Sequence, residues 1–493
     1  MLTRKQKRLI SLAAIFVVSV LSVVLTYTVI DIDLIPAKYL LLFVAIILTL
    51  NILSAACLLV KKVWTRVIAV IIHIILIVLS IAGINYIGKA DNFLDEAFEN
   101  YTVDTTVYNI VVSSEGNYKT LEDLKGRDVS YFNFYNNIDG IKDEVSKKID
   151  GPTMKEQLDM MSTFELLFNG EISSVILAEG FKDELAEMIP EFDSKVLVLD
   201  TFEVETKVGE DTLPDHNAPN EGETTTTVTT KELQKLSQGD AINIYISGVD
   251  YGSRSDLNMI ATINPNTKKI LLTSIPRDCA AVIPGVGTGK PEKLSYSGLY
   301  GLNTSRYVVE QVTGIKFDYA IKVTFNSIVK MVDLVGGIDI VSDKEFKAFH
   351  MPGWTVKKGK NHMDGAKALA YARERQAYAP NGDVHRVLNQ QQVVSATLNK
   401  LAKDRSLLLK YDEILNSLSS FYTTDIPRSV ISKYVKMQLN NMSGWSITSQ
   451  SIKGSYYDDY TNYFQTVTTH LFKPSESSLQ KNINKIKNVV AGK

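Results

Sequence analysis

The stretch AINIYISGVDYGSRSD at residues 241–256 decides how the second half of the chain folds. Residues 241–249 read as a buried strand, because the run is apolar on both alternating sets of side chains. This strand delivers Asp250 at its C-terminal end, and Arg254 and Asp256 follow in a short polar loop before a second apolar run, IATIN at 260–264. A third run, KILLTSI at 269–275, ends in Pro276, Arg277 and Asp278, so another arginine–aspartate pair falls at the same edge of the expected sheet. In open α/β sheets, ligands bind in the crevice beyond the strand ends. Any one of these aspartates alone is an ordinary turn residue. Their recurrence at strand ends, each beside an arginine, points to a charged site, and paired carboxylates supply the oxygen ligands that Mg2+ or Mn2+ prefers.

Downstream, ALAYARER at 368–375 closes a helical pattern with Arg373 and Arg375, and Asp383, Arg386 and Gln390 follow. Arg386 and Gln390 stand at i and i+4, one above the other on one helix face. A solvated helix face accounts for Arg373 and Arg375 taken alone. A diphosphate gripped by planar arginines, with a divalent metal between its oxygens and the carboxylates, accounts for Arg277, Arg373, Arg375 and Arg386 together. The glycine-rich GVGTGK at 285–290 is not a phosphate loop, since Pro284 and Pro291 stand where that motif needs glycine and Ser or Thr. Lys293 nearby is within reach of a phosphate.

Upstream, residues 9–30, 39–60 and 67–87 are three apolar runs of about 21 or 22 residues without formal charge, roughly 32 Å of helix each and enough to span a bilayer. Three in succession argue against a cleaved signal peptide. Arg4, Lys5, Lys7 and Arg8 precede the first run and Lys61, Lys62 and Arg66 separate the second from the third, whereas 31–38 carries Asp31, Asp33 and Lys38. The basic segments predict a cytoplasmic N-terminus, and three crossings then place everything after about residue 90 on the outer side. Residues 91–205 alternate short apolar runs with helical stretches, which predicts a small α/β unit. Pieces of it, TLEDLKGRDVSYF at 120–132 and FNGEISSVIL at 168–177, resemble a periplasmic-binding-protein-type lobe; ligand sensing and the positioning of its neighbour are both open to such a unit. Residues 203–231 are rich in Thr, Glu, Pro, Gly and Asn and read as a linker.

The composition adds exclusions. A formal charge of −2 over 493 residues gives no general attraction to nucleic acid, so a polyanion must be met by a local arginine cluster. The two cysteines, Cys57 in an apolar run and Cys279 in a polar motif, offer no disulfide framework.

GVDYGSRSD at 248–256, SIPRD at 274–278, YGLNTSRYVVEQVTGIKFDYAIKVTF at 300–325, VDLVGGIDI at 332–340 and the ALAYARER and GDVHRVLNQQQ segments within 368–392 resemble, in order and spacing, the successive motifs of LytR-CpsA-Psr (LCP) proteins. The triple-helix anchor with an accessory unit is similar to the CpsA branch of capsulated streptococci. The resemblance implies three N-terminal transmembrane helices, an extracellular α/β accessory domain, and an α/β/α sandwich LCP domain with a mixed central sheet. The expected division is 1–90 for the cytoplasmic tip and helices, 91–205 for the accessory domain, 206–236 for the linker, 237–405 for the catalytic domain, and 406–493 for a C-terminal extension that completes the domain or faces the acceptor. The implied activity is a metal-dependent phosphotransferase of the bacterial plasma membrane. It would attach capsular polysaccharide, or another wall glycopolymer, from a polyprenyl-pyrophosphate carrier to peptidoglycan, releasing polyprenyl phosphate, with hydrolysis of the pyrophosphate as a side activity. By motif position Asp250 and Asp256 would hold Mg2+ (or Mn2+). Arg254, Arg277, Arg373, Arg375, Arg386 and Gln390, with Lys293 in second rank, would hold the pyrophosphate. Asp256, Arg277 and Asp278 would be catalytic, either aspartate serving as base. Apolar residues within 317–340 would line a tunnel for the isoprenoid tail. Asn389 and Cys279 depart from the residues common in the family at those positions.

Two rival readings remain: a membrane regulator of capsule synthesis, and a non-catalytic polyprenyl-phosphate or wall-glycan binder. The basic tip and the short 61–66 segment are too small for a recognition helix, so direct nucleic-acid binding is not expected. The expected partners are the lipid-linked glycan, peptidoglycan, the membrane and other capsule-assembly proteins.

Overall fold

A computed structural model describes residues 4–31, 37–60, 62–99, 103–135, 137–207, 233–249, 253–286, 289–379, 382–404 and 422–493. The chain forms two compact units.

The first unit contains the helices Arg4–Asp31, Ala37–Leu59 and Val63–Glu99, each long and apolar enough to cross a membrane. Leu25, Val29, Ile47 and Leu76 are buried among them while most other apolar side chains face outward, the distribution expected of helices that bury little against each other and much against lipid. The Asn51 amide donates to the Ser22 hydroxyl at 3.0 Å, a polar tie between the first two helices. His73 is buried, and its Nδ1 lies 2.8 Å from the Ala69 carbonyl one turn back.

The second unit, Glu99–Leu407, Ser420–Asp425 and Gly444–Lys493, is built on a five-stranded and a six-stranded sheet, with small two-stranded pairings besides. The accessory sheet has five strands in the order Thr153–Gln157, Asp128–Phe132, Ser174–Ala178, Val103–Ser113, Val196–Lys207. The first three run parallel, and Val103–Ser113 runs antiparallel to both of its neighbours. The main sheet has six strands in the order Tyr422–Thr424, Tyr319–Thr324, Ile242–Val249, Ser255–Asn264, Lys269–Ile275, Ser446–Ser451. Ile242–Val249 is parallel to Tyr319–Thr324 and antiparallel to Ser255–Asn264, so the sheet is mixed.

Two hydrogen bonds show that helices cover both faces of this sheet. On Lys269–Ile275 the neighbouring residues Thr273 and Ser274 point to opposite sides. Ser274 accepts from Gln391 of the helix Gly382–Lys403 at 2.8 Å. Thr273 accepts from Gln450 at 2.9 Å, whose amide also donates to Asn482 of the helix Glu476–Val490. The second unit is therefore an α/β/α sandwich with an α/β accessory layer.

The division along the chain differs from the sequence expectation in four places. The expected boundary at 90 falls inside the helix Val63–Glu99. The expected linker at 206–236 is entered by the strand Val196–Lys207, and at its far end Gln234–Lys235 pairs in parallel with Ile315–Lys316; residues 208–232 lie outside the described residues. The expected boundary at 405 falls short of the domain's end, since the extension beyond it completes the main sheet, one of the two roles expected of it, by supplying both edge strands. Finally, the accessory and main sheets belong to one compact unit. Phe134 and Phe181 of the accessory layer meet Tyr296 and Tyr463 of the main layer, with Phe134–Tyr463 centroids 4.4 Å apart and Phe181–Tyr296 4.8 Å apart. Met160 N donates to the Tyr463 carbonyl at 3.0 Å, and Asp159 accepts from Gln465 N at 2.6 Å. Tyr300 donates to the Phe134 carbonyl and lies 2.9 Å from the Tyr463 hydroxyl.

Beneath this junction lies Glu292, fully buried, with one carboxyl oxygen accepting from Tyr463 N at 2.8 Å and the other without a partner. Burial pushes its pKa up to about 8. A carboxyl that holds its proton more tightly when folded stabilises fully below the unfolded pKa, and that contribution is lost as pH rises through the folded value near 8. Glu292→Gln should therefore melt above the wild type at pH 8.5, with the gap closing toward pH 5; thermal unfolding of the full chain at the two pH values measures it.

Candidate functional site

Charge converges at one edge of the main sheet. Asp256 sits at the start of the strand Ser255–Asn264, one residue past a register shift between Gly248 and Val249 on the neighbouring strand. Its place is set from below by a buried hydrogen-bond network. Tyr245 donates to Asn258 at 2.6 Å, Ser255 to Asn258 at 2.9 Å, and Asn258 to the Ser255 carbonyl at 2.7 Å, while the Ser247 and Ser255 hydroxyls are 2.8 Å apart. Every member is buried, so a broken link would strand a polar group away from water. Gly298 closes the loop from above: a Cβ there would lie 2.3 Å from the Ser253 carbonyl oxygen and 2.5 Å from Ser255 N, and both are backbone atoms that cannot swing away.

Arg277, at the end of the next strand, bonds Asp256 through Nη1 at 2.9 Å, and its Nε lies 3.6 Å from Asp278. Backbone bonds from Leu294 N to the Cys279 carbonyl and from Ser295 N to the Arg277 carbonyl, 2.8 and 2.9 Å, zip the two segments together. They bring the Lys293 ammonium to 3.9 Å from Asp278. Cys279 is buried there and its thiol is pushed far above its ordinary pKa by burial and by Asp278, which makes it packing rather than nucleophile.

The remaining arginines arrive on helices. Gln391 fixes Gly382–Lys403 to the sheet at Ser274 and at the Gln450 carbonyl, 2.8 and 2.7 Å, and Asn389 donates to the Tyr371 carbonyl at 3.0 Å. With the helix so placed, Arg386 is buried and lies 3.0 Å from Asp383, while Arg375 lies 3.8 Å from the same carboxylate. Gly382 permits that approach, since a Cβ there would meet the Arg375 carbonyl at 2.6 Å.

The electrostatics are those of a polyanion cradle. Burial alone would raise the Asp256 pKa, but Arg277, Arg254 and Arg386 hold it well below the usual carboxylate range. Arg386 is pushed down to about 10 by burial and by repulsion from Arg277, and still carries its proton at neutral pH. The Nε–H groups of Arg277 and Arg386 are buried and, among the described residues, have no hydrogen-bond partner. Two orphaned guanidinium donors beside ionised carboxylates suit the oxygens of an incoming anion.

The structure thus gathers Arg254, Asp256, Arg277, Asp278, Lys293 and Arg386 in one charged network, with Arg375 joined through Asp383. Arg373, the last residue of the helix Gly365–Arg373, lies over the Phe325 ring at 4.9 Å. Gln390 is half-buried on the helix Gly382–Lys403. Asp250 lies outside the described residues, and among those described no group of three His, Cys, Asp or Glu side chains is placed to hold a metal ion. Sequence reasoning missed two acidic groups that touch the network. Glu184 of the accessory helix Lys182–Met188 bonds Lys293 at 2.6 Å, and Glu187 lies 3.5 Å from Arg375. No local pattern flags them, because KDELAEM reads as any amphipathic helix.

A sequence profile described as the LytR_cpsA_psr family matches residues 206–488. The chain belongs to this family. Among its LCP relatives, a protein of Bacillus mycoides named polyisoprenyl-teichoic acid–peptidoglycan teichoic acid transferase TagU is 33% identical over 200 residues, 40% of this chain and 64% of the relative. A protein of the same name from Oceanobacillus iheyensis is 31% identical over 238 residues, 45% of this chain and 71% of the relative. The chain spans a little under two thirds of the length of the first relatives it matches. Among solved structures, Bacillus subtilis TagV is 26% identical, with 51% of this chain and 97% of that one covered and a TM-score of 0.43.

Gly298→Ala should displace the 253–255 backbone and with it Arg254 and Asp256. We expect loss of a few kcal/mol of stability, the usual scale for an enforced clash, and loss of anion affinity, read by thermal unfolding with and without inorganic pyrophosphate.

Proposed function

We propose that this LCP protein transfers a glycan phosphate from a polyprenyl-pyrophosphate carrier to a sugar hydroxyl of peptidoglycan and releases polyprenyl phosphate. The observation that carries this reading is the pair of buried guanidinium Nε–H donors on Arg277 and Arg386, neither hydrogen-bonded among the described residues, beside an ionised Asp256. The names of the relatives, which act on polyisoprenyl-linked teichoic acid and peptidoglycan, agree with it. Capsular polysaccharide, or another wall glycopolymer, is the glycan we propose.

In the reaction the acceptor hydroxyl oxygen attacks the glycan-side phosphorus, the bridging P–O bond breaks, and the electron pair leaves with polyprenyl phosphate. Arg254, Arg277, Arg375 and Arg386 neutralise charge that grows on the leaving phosphate, and Lys293 adds a point charge. Asp256 or Asp278, both at the charged sheet edge beside Arg277, takes the acceptor proton. The ionised Asp256 carboxylate, with diphosphate oxygens and Asp250, is the hard-oxygen donor set that Mg2+ (or Mn2+) accepts. Asp250 and Asp256 would hold the ion, which would supply further charge neutralisation at the diphosphate. Water in the acceptor's place would give pyrophosphate hydrolysis. The basic segments around the apolar helices put the N-terminus in the cytoplasm and the site outside, where the acceptor is.

The test is release of polyprenyl phosphate from a polyprenyl-pyrophosphate-linked glycan by the full chain in detergent, with Mg2+ and with chelator. We expect metal-dependent turnover that falls on the order of a hundredfold or more in Arg277→Ala and is lost in Asp256→Asn. Tight lipid binding without turnover in the wild type would instead mark a binding protein.

A further inference from the structure

Lys293 is a buried cation held by a neighbour from another layer of the fold. Its side chain and that of Glu184 are each 9% exposed, and their polar atoms are 2.6 Å apart. Its other carboxylate, Asp278, is 3.9 Å away, beyond hydrogen-bond reach. Arg254 and Arg277 act on Glu184 with Lys293 and keep it ionised against the cost of burial, while Tyr296 and Glu292 border the same space. Glu184 and Glu187 stand at i and i+3, one face of the helix Lys182–Met188. That face puts one carboxylate on Lys293 and one 3.5 Å from Arg375.

We infer that Glu184 is a positioning residue of the charged site: its carboxylate holds the Lys293 ammonium, protonated, beside Asp278, and so makes the accessory layer a working part of the phosphate-binding machinery. The inference rests on the transferase reading above. Its physical basis is that an ammonium taken out of water without a partner gives up its proton at lower pH. Glu184 therefore fixes the direction of the Lys293 ammonium through a hydrogen bond that Asp278, at the longer distance, does not make. Accessory helix and catalytic edge are thereby one electrostatic assembly.

The experiment follows turnover of a polyprenyl-pyrophosphate-linked disaccharide against pH, using the full chain in detergent. The chains are wild type, Glu184→Gln, Glu184→Asp, the double variant Glu184→Gln/Lys293→Arg, and Arg277→Ala as the inactive reference. Glu184→Gln should lose about tenfold near neutrality, the lower end for a group that orients a ligand-binding side chain. It should also gain a descending alkaline limb between roughly pH 7 and 9, where the unpaired ammonium loses its proton. The double variant should show no such limb, because a guanidinium stays charged, and Glu184→Asp should recover most of the activity. A Glu184→Gln profile that matches the wild type, or that falls by one constant factor at every pH, overturns the inference while leaving the transferase reading intact. A wild type as inert as Arg277→Ala overturns both. Should Glu184→Gln fail to fold, Glu184→Met/Lys293→Met leaves no unpaired charge behind: a cooperative melt with turnover lost supports the assignment, and full turnover overturns it.

Discussion

The ion pair between Arg277 and Asp256 is the constraint around which the second unit is built. Two charges removed from water are tolerated only when each finds a well-placed opposite and the remaining donors and acceptors are supplied. The surrounding architecture meets that demand layer by layer. The serine, asparagine and tyrosine network under Ser255 fixes the aspartate, the zipper between 277–281 and 292–295 fixes the arginine, and Gln391 fixes the helix that carries Arg386. None of these supporting groups touches an exposed surface to any great extent. They turn four cations and three carboxylates, which in solution would wander, into a field with one shape.

That field also explains why the two sheets are not independent bodies. Were the accessory layer an appended sensor, its junction would be expected to be polar and modest in area. Instead the junction is a buried aromatic cluster of Phe134, Tyr135, Phe181, Tyr296 and Tyr463, with backbone and carboxylate bonds at its rim and Glu184 reaching through it. Separating the layers would expose those rings and break the bond between Lys293 and Glu184.

Much of the main layer was legible in the sequence because its central strands are apolar on both faces and end in charged turns; 242–249, 269–275 and the 260–264 part of the middle strand are visible that way, whereas Asp256, read as loop, lies within the strand Ser255–Asn264. The charged residues at their ends were legible too, since arginines and aspartates recurring at strand termini have few structural reasons to be there. Three kinds of feature were not. The strand Thr153–Gln157 is half exposed and carries TMKEQ, which has no strand-like pattern until its neighbour is known. The edge strands Tyr422–Thr424 and Ser446–Ser451 are polar for the same reason. Glu184 is a contact between residues 109 positions apart, and nothing in either segment encodes the other. Asn389 and Cys279, which looked like departures from a motif, serve the frame: one ties two helices together and the other fills space under Asp278.

The pairing of Ser446–Ser451 with Lys269–Ile275 sets an order of assembly. Until residues 446–451 have been made, Lys269–Ile275 has one side of its backbone open, and an open strand edge is a template for pairing with another molecule. The same holds across the sheet for Tyr319–Thr324, which waits for Tyr422–Thr424. A nascent chain must therefore guard a half-built sheet until both distant partners are made, and pairings this distant in sequence close slowly. Folding helpers would act on that interval, and removing residues 446–451 would leave the sheet unfinished rather than merely trimmed.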